Sequence, residues 1–188
     1  MTGYLRQIAL LAVLTAFGFV VYLLLFWLDV GSSVGILFYR GVLLAVGAAI
    51  LTAVAAAWLS HGSEDRSLPI AAATLSLSFN ICFLVLLPVT VDRSISVYLL
   101  STIEQHQKAG IKPAALQSAF IDDYVVDMGA IDRRIDEQRR SGNIVVTPQG
   151  KIQLTAQGKR FMDLSRLVAR VFKTDPRFVG TAPRKPSA

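Results

Sequence analysis

The sequence predicts a mainly α-helical protein in two parts, three transmembrane helices followed by a small α+β domain. Hydrophobic residues make up 53% of the 188-residue chain and charged residues only 17%, whereas soluble domains usually carry about 25% charged residues. The charges are also unevenly distributed, because residues 1–90 hold three cations and three anions and the rest of the chain holds the whole net charge of +6. The first part is therefore expected to lie in a membrane and the second in water.

Three apolar runs are long enough to cross a bilayer, which takes about 20 helical residues. They lie at about 8–28, 41–59 and 69–91. The first is expected to be an uncleaved anchor, because its apolar core is long and no small-residue cleavage pattern follows it. Short polar connections predict an antiparallel bundle, so residues 1–91 are predicted to form a three-helix transmembrane domain.

Small side chains recur at intervals of four in the second and third runs, which predicts smooth faces for close helix packing. An unpaired Asn80 amide near the bilayer centre would be costly, so we expect Asn80 to form an interhelical hydrogen bond. Ser76 and Asn80 are the candidates for polar packing inside the membrane. The alternative is a polar contact with a lipid-linked ligand or a partner subunit. The two series are Ala45, Ala49, Ala53 and Ala57 in one run, and Ala72, Ser76 and Asn80 in the other.

The segment 88–94 predicts the junction between the two parts. Pro88 has no amide hydrogen and is expected to end or kink the third helix. Asp92 and Arg93 separate two apolar runs and are expected in the headgroup layer, and Ser94 is a suitable N-cap for a new helix. A catalytic or phosphate-binding Asp92–Arg93 pair is the alternative, although no second acid, base or nucleophile accompanies it.

Residues 94–173 are predicted to form a soluble domain in the order helix, helix, helix, hairpin, helix. Glycine and proline divide its helices, and the sequence TPQG at 147–150 suits a tight turn between two short strands. Thr155 is expected to cap the last helix. The helices are predicted at about 95–107 and 114–124, from Ala130 to the Ser141-Gly142 cap, and at 156–172.

The segment SGNIVVTPQGKIQLTAQGK resembles the recognition-helix end, wing and LTxxG segment of many winged-helix proteins. The resemblance covers roughly residues 95–172 and selects no single family. It implies a winged-helix domain with a small β-hairpin wing, whose third helix and wing carry the candidate contacts to a partner or to DNA. These are Arg133, Arg134, Arg139, Arg140 and Lys151.

The charge of this domain favours a protein partner over DNA. Residues 91–158 contain eight cations and eight anions, and an acidic surface is repelled by the phosphates of DNA. The arginines of the third helix can instead pair with acids three or four positions away. We therefore expect a protein-binding winged helix, with a membrane-tethered DNA-binding transcription regulator as the alternative.

The net positive charge lies at the C-terminal end, where residues 159–188 hold eight cations and two anions. On a helix, the basic side chains of this segment face one way and the apolar side chains the other, which suits contact with anionic lipid headgroups. A solvated basic face is the alternative. Residues 174–188 are expected to form a basic, disordered tail. The candidate headgroup contacts are Lys159, Arg166, Arg170 and Lys173.

The sequence predicts no enzyme, no cofactor and no metal site. Cys82 and the two histidines are isolated, and no phosphate loop or nucleophile elbow is present. We expect a non-catalytic integral membrane protein, an accessory or regulatory subunit of a bacterial inner-membrane assembly, with envelope glycan synthesis as a suitable setting. The cationic C-terminal domain is predicted to lie in the cytoplasm.

Overall fold

The structure, a computed structural model, describes residues 2–61 and 67–180. Over these ranges the chain is mainly helical and divides into two compact units, Met1–Leu100 and Ser101–Ala188. The division falls inside a helix, further along the chain than the junction that the sequence predicts at 88–94. Part of the predicted connection between the second and third apolar runs, residues 62–66, lies outside the described residues.

Three helices of the first unit are long and apolar enough to cross a membrane, as predicted. Apolar side chains surround each of them, which is typical of helices in an apolar environment. Trp27 and Trp58, at the ends of the first two helices, are 80% and 79% exposed. The bounds are Thr2–Trp27 for α1, Leu37–Leu59 for α2 and Ser67–Leu86 for α3.

Two buried clusters fix the relative directions of these helices, and both contain residues of all three. Residues nearer the C-terminus of α1 contact residues nearer the N-terminus of α2 and nearer the C-terminus of α3. The helix α2 is therefore antiparallel to the other two, and α1 and α3 run in parallel. One cluster contains Leu14, Ala56 and Ala72, and the other contains Tyr22, Ala45 and Ala48 with the partly buried Leu77 and Ile81 against them.

The predicted small-residue face is confirmed on α3, where all three predicted residues are fully buried. On α2 the prediction is wrong for Ala53, which is only partly buried, and for Ala57, which is exposed. Because α2 packs against both of its neighbours, its buried face follows spacings of three and four residues rather than a strict spacing of four. This face consists of Gly41, Leu44, Ala45, Ala48, Ala49, Thr52 and Ala56.

The predicted break at Pro88 is present. The helix α3 ends at Leu86, and after one residue the chain continues as the short helix α4, Pro88–Arg93. Proline cannot donate an amide hydrogen bond to the preceding turn. At the same break, the Thr90 hydroxyl donates to the Val85 carbonyl oxygen at 2.8 Å. The two helices together, Ser67–Arg93, form the third membrane-length segment.

After α4 the elements follow the predicted order of three helical segments, a hairpin and a last helix. The strands β1 and β2 pair antiparallel, and Gly150, with φ +75°, closes their turn by donating its amide to the Thr147 carbonyl oxygen at 2.9 Å. The helices are α5 Ile95–Gln105, α6 Pro113–Ala119, α7 Ala130–Arg140 and α8 Ala156–Val171, and the strands are β1 Ile144–Val146 and β2 Ile152–Leu154.

The second helical segment of this region is longer than predicted, because α6 continues directly into a π-helix, Phe120–Asp127. In a π-helix each amide donates to the carbonyl five residues earlier, and the Met128 amide bonds to the Asp123 carbonyl oxygen at 2.7 Å in this way. Gly129, with φ +58°, then ends the segment before α7 begins.

The predicted cap of α8 is present and holds the helix start against the hairpin. Thr155 Oγ1 accepts the Gly158 amide at 3.0 Å and donates to the Gly142 carbonyl oxygen at 2.7 Å. A Cβ at Gly158 would lie 2.1 Å from the carbonyl oxygen of Asn143, so only glycine permits this approach. Thr155 and Gly158 are the T and the G of the LTxxG segment.

The predicted C-terminal tail begins with an ordered turn that the sequence prediction did not include. Pro176–Val179 forms a short 3-10 helix, and the Asp175 carboxylate caps it by accepting the Arg177 amide at 2.9 Å. Residues 181–188 of the predicted tail lie outside the described residues.

Candidate functional sites

A buried polar cluster lies between the three membrane-length helices. Ser76 Oγ lies 3.3 Å from Thr52 Oγ1 and accepts the Asn80 Nδ2 group at 3.4 Å. The Thr52 hydroxyl donates its own proton to the Ala48 carbonyl oxygen at 2.8 Å, so its oxygen is left to accept the proton of Ser76. The result is one chain of hydrogen bonds from the Asn80 amide to the backbone of α2. The bond that crosses between helices is that of Ser76 with Thr52, whereas the sequence predicts the interhelical bond for Asn80, which bonds to Ser76 of its own helix.

Gly18 of α1 closes this cluster from the third side. A Cβ at Gly18 would lie 2.1 Å from Ser76 Oγ and 2.5 Å from Thr52 Oγ1, far inside van der Waals contact. Only glycine allows the backbone of α1 to come this close to the hydroxyl pair. Neither Gly18 nor Thr52 could be identified from the sequence, because a glycine or a threonine in an apolar helix gives no sign of which face it lies on.

Two buried polar atoms of the described residues have no hydrogen-bond partner there, the Tyr22 hydroxyl oxygen and Asn80 Oδ1. Because α1 and α3 run in parallel, Tyr22 lies one turn beyond Gly18 and Asn80 lies one turn beyond Ser76. The Tyr22 hydroxyl, which can donate, and Asn80 Oδ1, which can accept, are thus at the same level of the bundle. The cluster therefore has hydrogen-bonding capacity that its own side chains leave unused.

The turn between α1 and α2 is held by an arginine whose partner the sequence analysis did not identify. Arg40 Nη2 donates to Asp29 Oδ1 at 2.8 Å, and its Nε donates to the Val30 carbonyl oxygen at 2.9 Å. The guanidinium also lies 5.2 Å from the centre of the Phe26 ring, within the range of a cation–π contact. Arg40 thus joins the start of α2 to the end of α1.

The predicted junction residues lie at the end of the first unit. Ser94 Oγ accepts the Val97 amide at 3.1 Å, so Ser94 caps α5 as predicted. Asp92 and Arg93 are exposed just before this cap. Within residues 2–61 and 67–180, no three His, Cys, Asp or Glu side chains are grouped so that they could hold a metal ion.

Acidic neighbours on α7 engage three of its four arginines, as their spacing predicts. Arg134 Nη1 lies 2.7 Å from Glu137 Oε2. Arg139 Nη2 and Arg140 Nε lie 2.7 Å from the two oxygens of Asp136. The hydrogen bond from Arg139, together with the charge of Arg140, lowers the pKa of Asp136 below its ordinary value. Most of the positive charge on α7 is therefore balanced within the helix.

The other two candidate contacts, Arg133 on α7 and Lys151 after the hairpin turn, are exposed. The backbone amide of Lys151 donates to Thr147 Oγ1 at 3.1 Å. This bond holds the turn in place and does not involve the Lys151 ammonium group. The five predicted contact residues thus divide into three that bond to acids of their own helix and two that extend into solvent.

The apolar face of α8 is exposed. Its large side chains are between 45% and 72% exposed, whereas the buried residues of this helix are Gly158 and Ala169. Apolar helix faces usually pack on their own domain or on a partner helix, but in the structure the rest of the second unit leaves this face exposed. The face consists of Phe161, Leu164, Leu167, Val168, Val171 and Phe172.

The four predicted headgroup contacts of α8 do not lie together. Arg166, Arg170 and Lys173 line one groove of about 590 Å³ between the end of α8 and the 3-10 helix, whereas Lys159 does not line it. Arg166 Nη1 is also bonded to Asp163 Oδ1 at 2.9 Å. Three of the four candidates therefore form one basic site, and Lys159 lies outside it.

These features define a chain with three membrane-length helices followed by a mainly helical unit that contains a two-stranded hairpin. Compared with known proteins, the chain matches no family model, no curated protein and no solved structure. Its function must be inferred from its own residues.

Proposed function

We propose that the chain is a non-catalytic integral membrane protein whose C-terminal unit adopts a winged-helix fold and binds a protein partner. In this proposal the three membrane-length segments cross a bacterial inner membrane, and the cationic second unit lies in the cytoplasm. The helix α7 takes the place of the recognition helix and the hairpin that of the wing. The protein then acts as an accessory or regulatory subunit of a membrane assembly, for which envelope glycan synthesis is a suitable setting.

The observation that carries this proposal is the exposed apolar face of α8. Over residues 101–180, all of them described, the buried residues are Thr102, Ala130, Gly158 and Ala169, so the unit buries no large apolar side chain completely. Soluble domains seldom expose a contiguous apolar surface unless it binds something. A protein surface placed on α8 would supply the apolar burial that the unit lacks on its own.

The ion pairs of α7 support a protein partner rather than DNA. Binding to a duplex depends on cations that neutralise phosphates. Arg134, Arg139 and Arg140 already bond to Glu137 and Asp136, and those carboxylates would face the phosphates as well. Protein surfaces of mixed charge tolerate such a helix.

The proposal is tested by extracting the full chain from its own membranes in lipid nanodiscs and measuring the mass of the intact complex. We expect a partner at fixed stoichiometry, which is a second copy or a different protein. The double variant Leu164→Gln and Val168→Gln should lose it, and the matched double variant Lys159→Gln and Arg160→Gln on the same helix should retain it. A wild-type chain that remains monomeric, or equal loss in both variants, would contradict the proposal.

A membrane-tethered DNA-binding regulator is the second candidate, and the exposed Arg133 and Lys151 favour it. In winged-helix proteins these elements meet the major groove and the phosphates. If DNA is the ligand, the full chain in nanodiscs should bind a duplex at low salt, with an affinity that falls steeply as salt rises. Alanine in place of Arg133, Arg134, Arg139 and Arg140 should abolish that binding. No binding at low salt would exclude this candidate.

A further inference from the structure

The groove between the end of α8 and the 3-10 helix concentrates positive charge that the proposed function does not use. Its volume of about 590 Å³ lies within the range of about 300–1,000 Å³ that is usual for small-molecule sites. Cations line one wall, and small or apolar residues and one hydroxyl complete the lining. The lining residues are Arg166, Ala169, Arg170, Lys173, Thr174, Pro176 and Val179.

The end of α8 needs these cations little, because amide groups already bond to most of its last carbonyl oxygens. Helix C-termini carry partial negative charge on unbonded carbonyl oxygens, and cations often serve only to balance it. Here the backbone forms a Schellman-type cap that satisfies several of those oxygens. The amides of Phe172, Lys173 and Thr174 donate to the carbonyl oxygens of Val168, Arg170 and Ala169 at 2.9, 3.4 and 3.0 Å, respectively.

Lys173 occupies the position of this cap where glycine is most common. Its φ is +51°, in the left-handed region that a residue with a side chain adopts only with strain. A glycine would satisfy the same backbone geometry without strain, so the cap itself does not require a lysine. What the lysine adds is a cationic side chain on a residue that lines the groove. Strain of this kind is typically found at binding and catalytic sites.

The acids of this region leave part of the charge uncompensated. Asp163 pairs with Arg166 at 2.9 Å. Asp175 bonds to the side chain and amide of Arg177, which lowers the pKa of Asp175 to about 2, and Arg177 does not line the groove. None of the acids in residues 2–61 and 67–180 forms an ion pair with Arg170 or Lys173.

We propose that this groove binds a phosphomonoester, with Arg170 and Lys173 as the main contacts. A guanidinium group can hold two phosphate oxygens at once, and an ammonium group supplies a compact second charge. The Thr174 hydroxyl can donate to a third oxygen, and Arg166 adds a charge that Asp163 partly balances. The phosphate belongs either to the headgroup of an anionic lipid or to a soluble ester, and the groove recognises the same chemical group in both.

The test uses the full chain in nanodiscs of phosphatidylcholine, which has no net charge. Two probes are titrated by calorimetry at low salt, glycerol 3-phosphate and dihexanoyl phosphatidic acid below its micelle concentration. We expect saturable binding of one ligand per chain for at least one probe. Arg170→Gln and Lys173→Gly should each weaken it about fivefold or more, as expected for the loss of one charge at a phosphate. The matched control Lys159→Gln, on the same helix outside the groove, should change the affinity less than twofold.

The variant Lys173→Gly also separates recognition from folding, because it removes the ammonium group and the backbone strain together. Its thermal stability should equal or exceed that of the wild type while its binding weakens. Binding of the lipid alone assigns the site to a lipid headgroup, and binding of glycerol 3-phosphate assigns it to a soluble ester; either result supports the proposal. No saturable binding of either probe, or equal weakening by Lys159→Gln, would overturn it.

Discussion

The side-chain oxygens of Thr52 and Ser76 lie 3.3 Å apart and join α2 to α3 where Gly18 of α1 touches both side chains. Both side chains are fully buried, so the two hydroxyls must satisfy each other and the backbone. Interhelical hydrogen bonds in membrane proteins contribute only about 0.6 kcal/mol on average. The glycine also permits close packing of α1 against this hydroxyl pair.

Replacing Gly18 by alanine should destabilise the bundle of helices. The added Cβ would overlap both hydroxyl oxygens, at 2.1 and 2.5 Å, and forcing a methyl group into a filled core costs about 1–3 kcal/mol. We expect a lower thermal midpoint for the full chain in detergent.

Gly47→Ala provides the matched control for this substitution. Gly47 lies on α2, and a Cβ there would come no closer than 4.0 Å to a neighbouring atom, Leu25 Cδ1. Alanine also favours the helix by about 1 kcal/mol relative to glycine. The midpoint of Gly47→Ala should therefore be unchanged or higher, and an equal fall in both variants would contradict the packing that we describe at Gly18.

Replacing Tyr22 by phenylalanine should stabilise the protein. The Tyr22 hydroxyl is buried and has no hydrogen-bond partner among the described residues, and burying an unsatisfied polar group costs about 1–3 kcal/mol. Phenylalanine retains the ring, which packs edge-on against Phe26 at 5.2 Å. The measurement is again the thermal midpoint in detergent, and Tyr4→Phe, at an exposed position of the same helix, should leave it unchanged. A lower midpoint for Tyr22→Phe would mean that the hydroxyl is bonded, for instance to Asn80.

Features that depend on a few neighbouring residues could be predicted from the sequence. Each of the caps at Ser94 and Thr155 requires only a hydroxyl oxygen that accepts the backbone amide one turn later. The break at Pro88 requires only the missing amide hydrogen. The membrane-length helices follow from composition over about 20 residues. None of these predictions needs knowledge of which residues meet across the fold.

Features that depend on helix rotation or on distant contacts could not be predicted. The contact of Gly18 with Thr52 and Ser76 exists only because three helices present particular faces to one another. The exposed position of Ala57 on α2 has the same origin. The basic groove required the turn after Lys173 to fold back beside α8, whereas the composition of residues 174–188 predicts disorder.

Replacing Gly158 by alanine should destabilise the second unit. The added Cβ would lie 2.1 Å from the backbone carbonyl oxygen of Asn143, which cannot move without disturbing the hairpin. We expect a loss of about 2 kcal/mol or more, because the start of α8 must shift away. Hydrogen exchange of the α8 amides in the full chain measures the effect, which should appear as faster exchange along the first turns of the helix.

Gly150→Asn is the control for that substitution. Gly150 lies in the hairpin turn, and a Cβ there would meet nothing within 4 Å. Its φ of +75° is in a region that asparagine adopts more readily than other residues with side chains. Exchange in α8 should stay near that of the wild type. If both variants accelerate exchange equally, the contact between Gly158 and Asn143 does not hold α8 in place.

The stability of α7 should depend on pH through Asp136. The hydrogen bond from Arg139 and the charge of Arg140 lower the pKa of this carboxyl in the folded chain, whereas an unfolded aspartate titrates near about 3.9. A carboxyl with a lowered pKa stabilises the fold above its unfolded pKa, and the contribution is lost as the pH falls through the folded value. The protection of the α7 amides should therefore be constant from neutral pH to about pH 4 and fall below it.

The carboxyl carbon of Asp136, followed by NMR in the full chain, should titrate below the value for an unfolded aspartate. Asp136→Asn should remove the fall in α7 protection at acidic pH, because its amide carries no charge at any pH. Asp132→Asn, at an exposed position of the same helix, should leave the titration of Asp136 in place. If the fall persists in Asp136→Asn and disappears in Asp132→Asn, the bonds from Arg139 and Arg140 to Asp136 do not stabilise α7. Those arginines would then be available for phosphate, which would favour DNA binding over a protein partner.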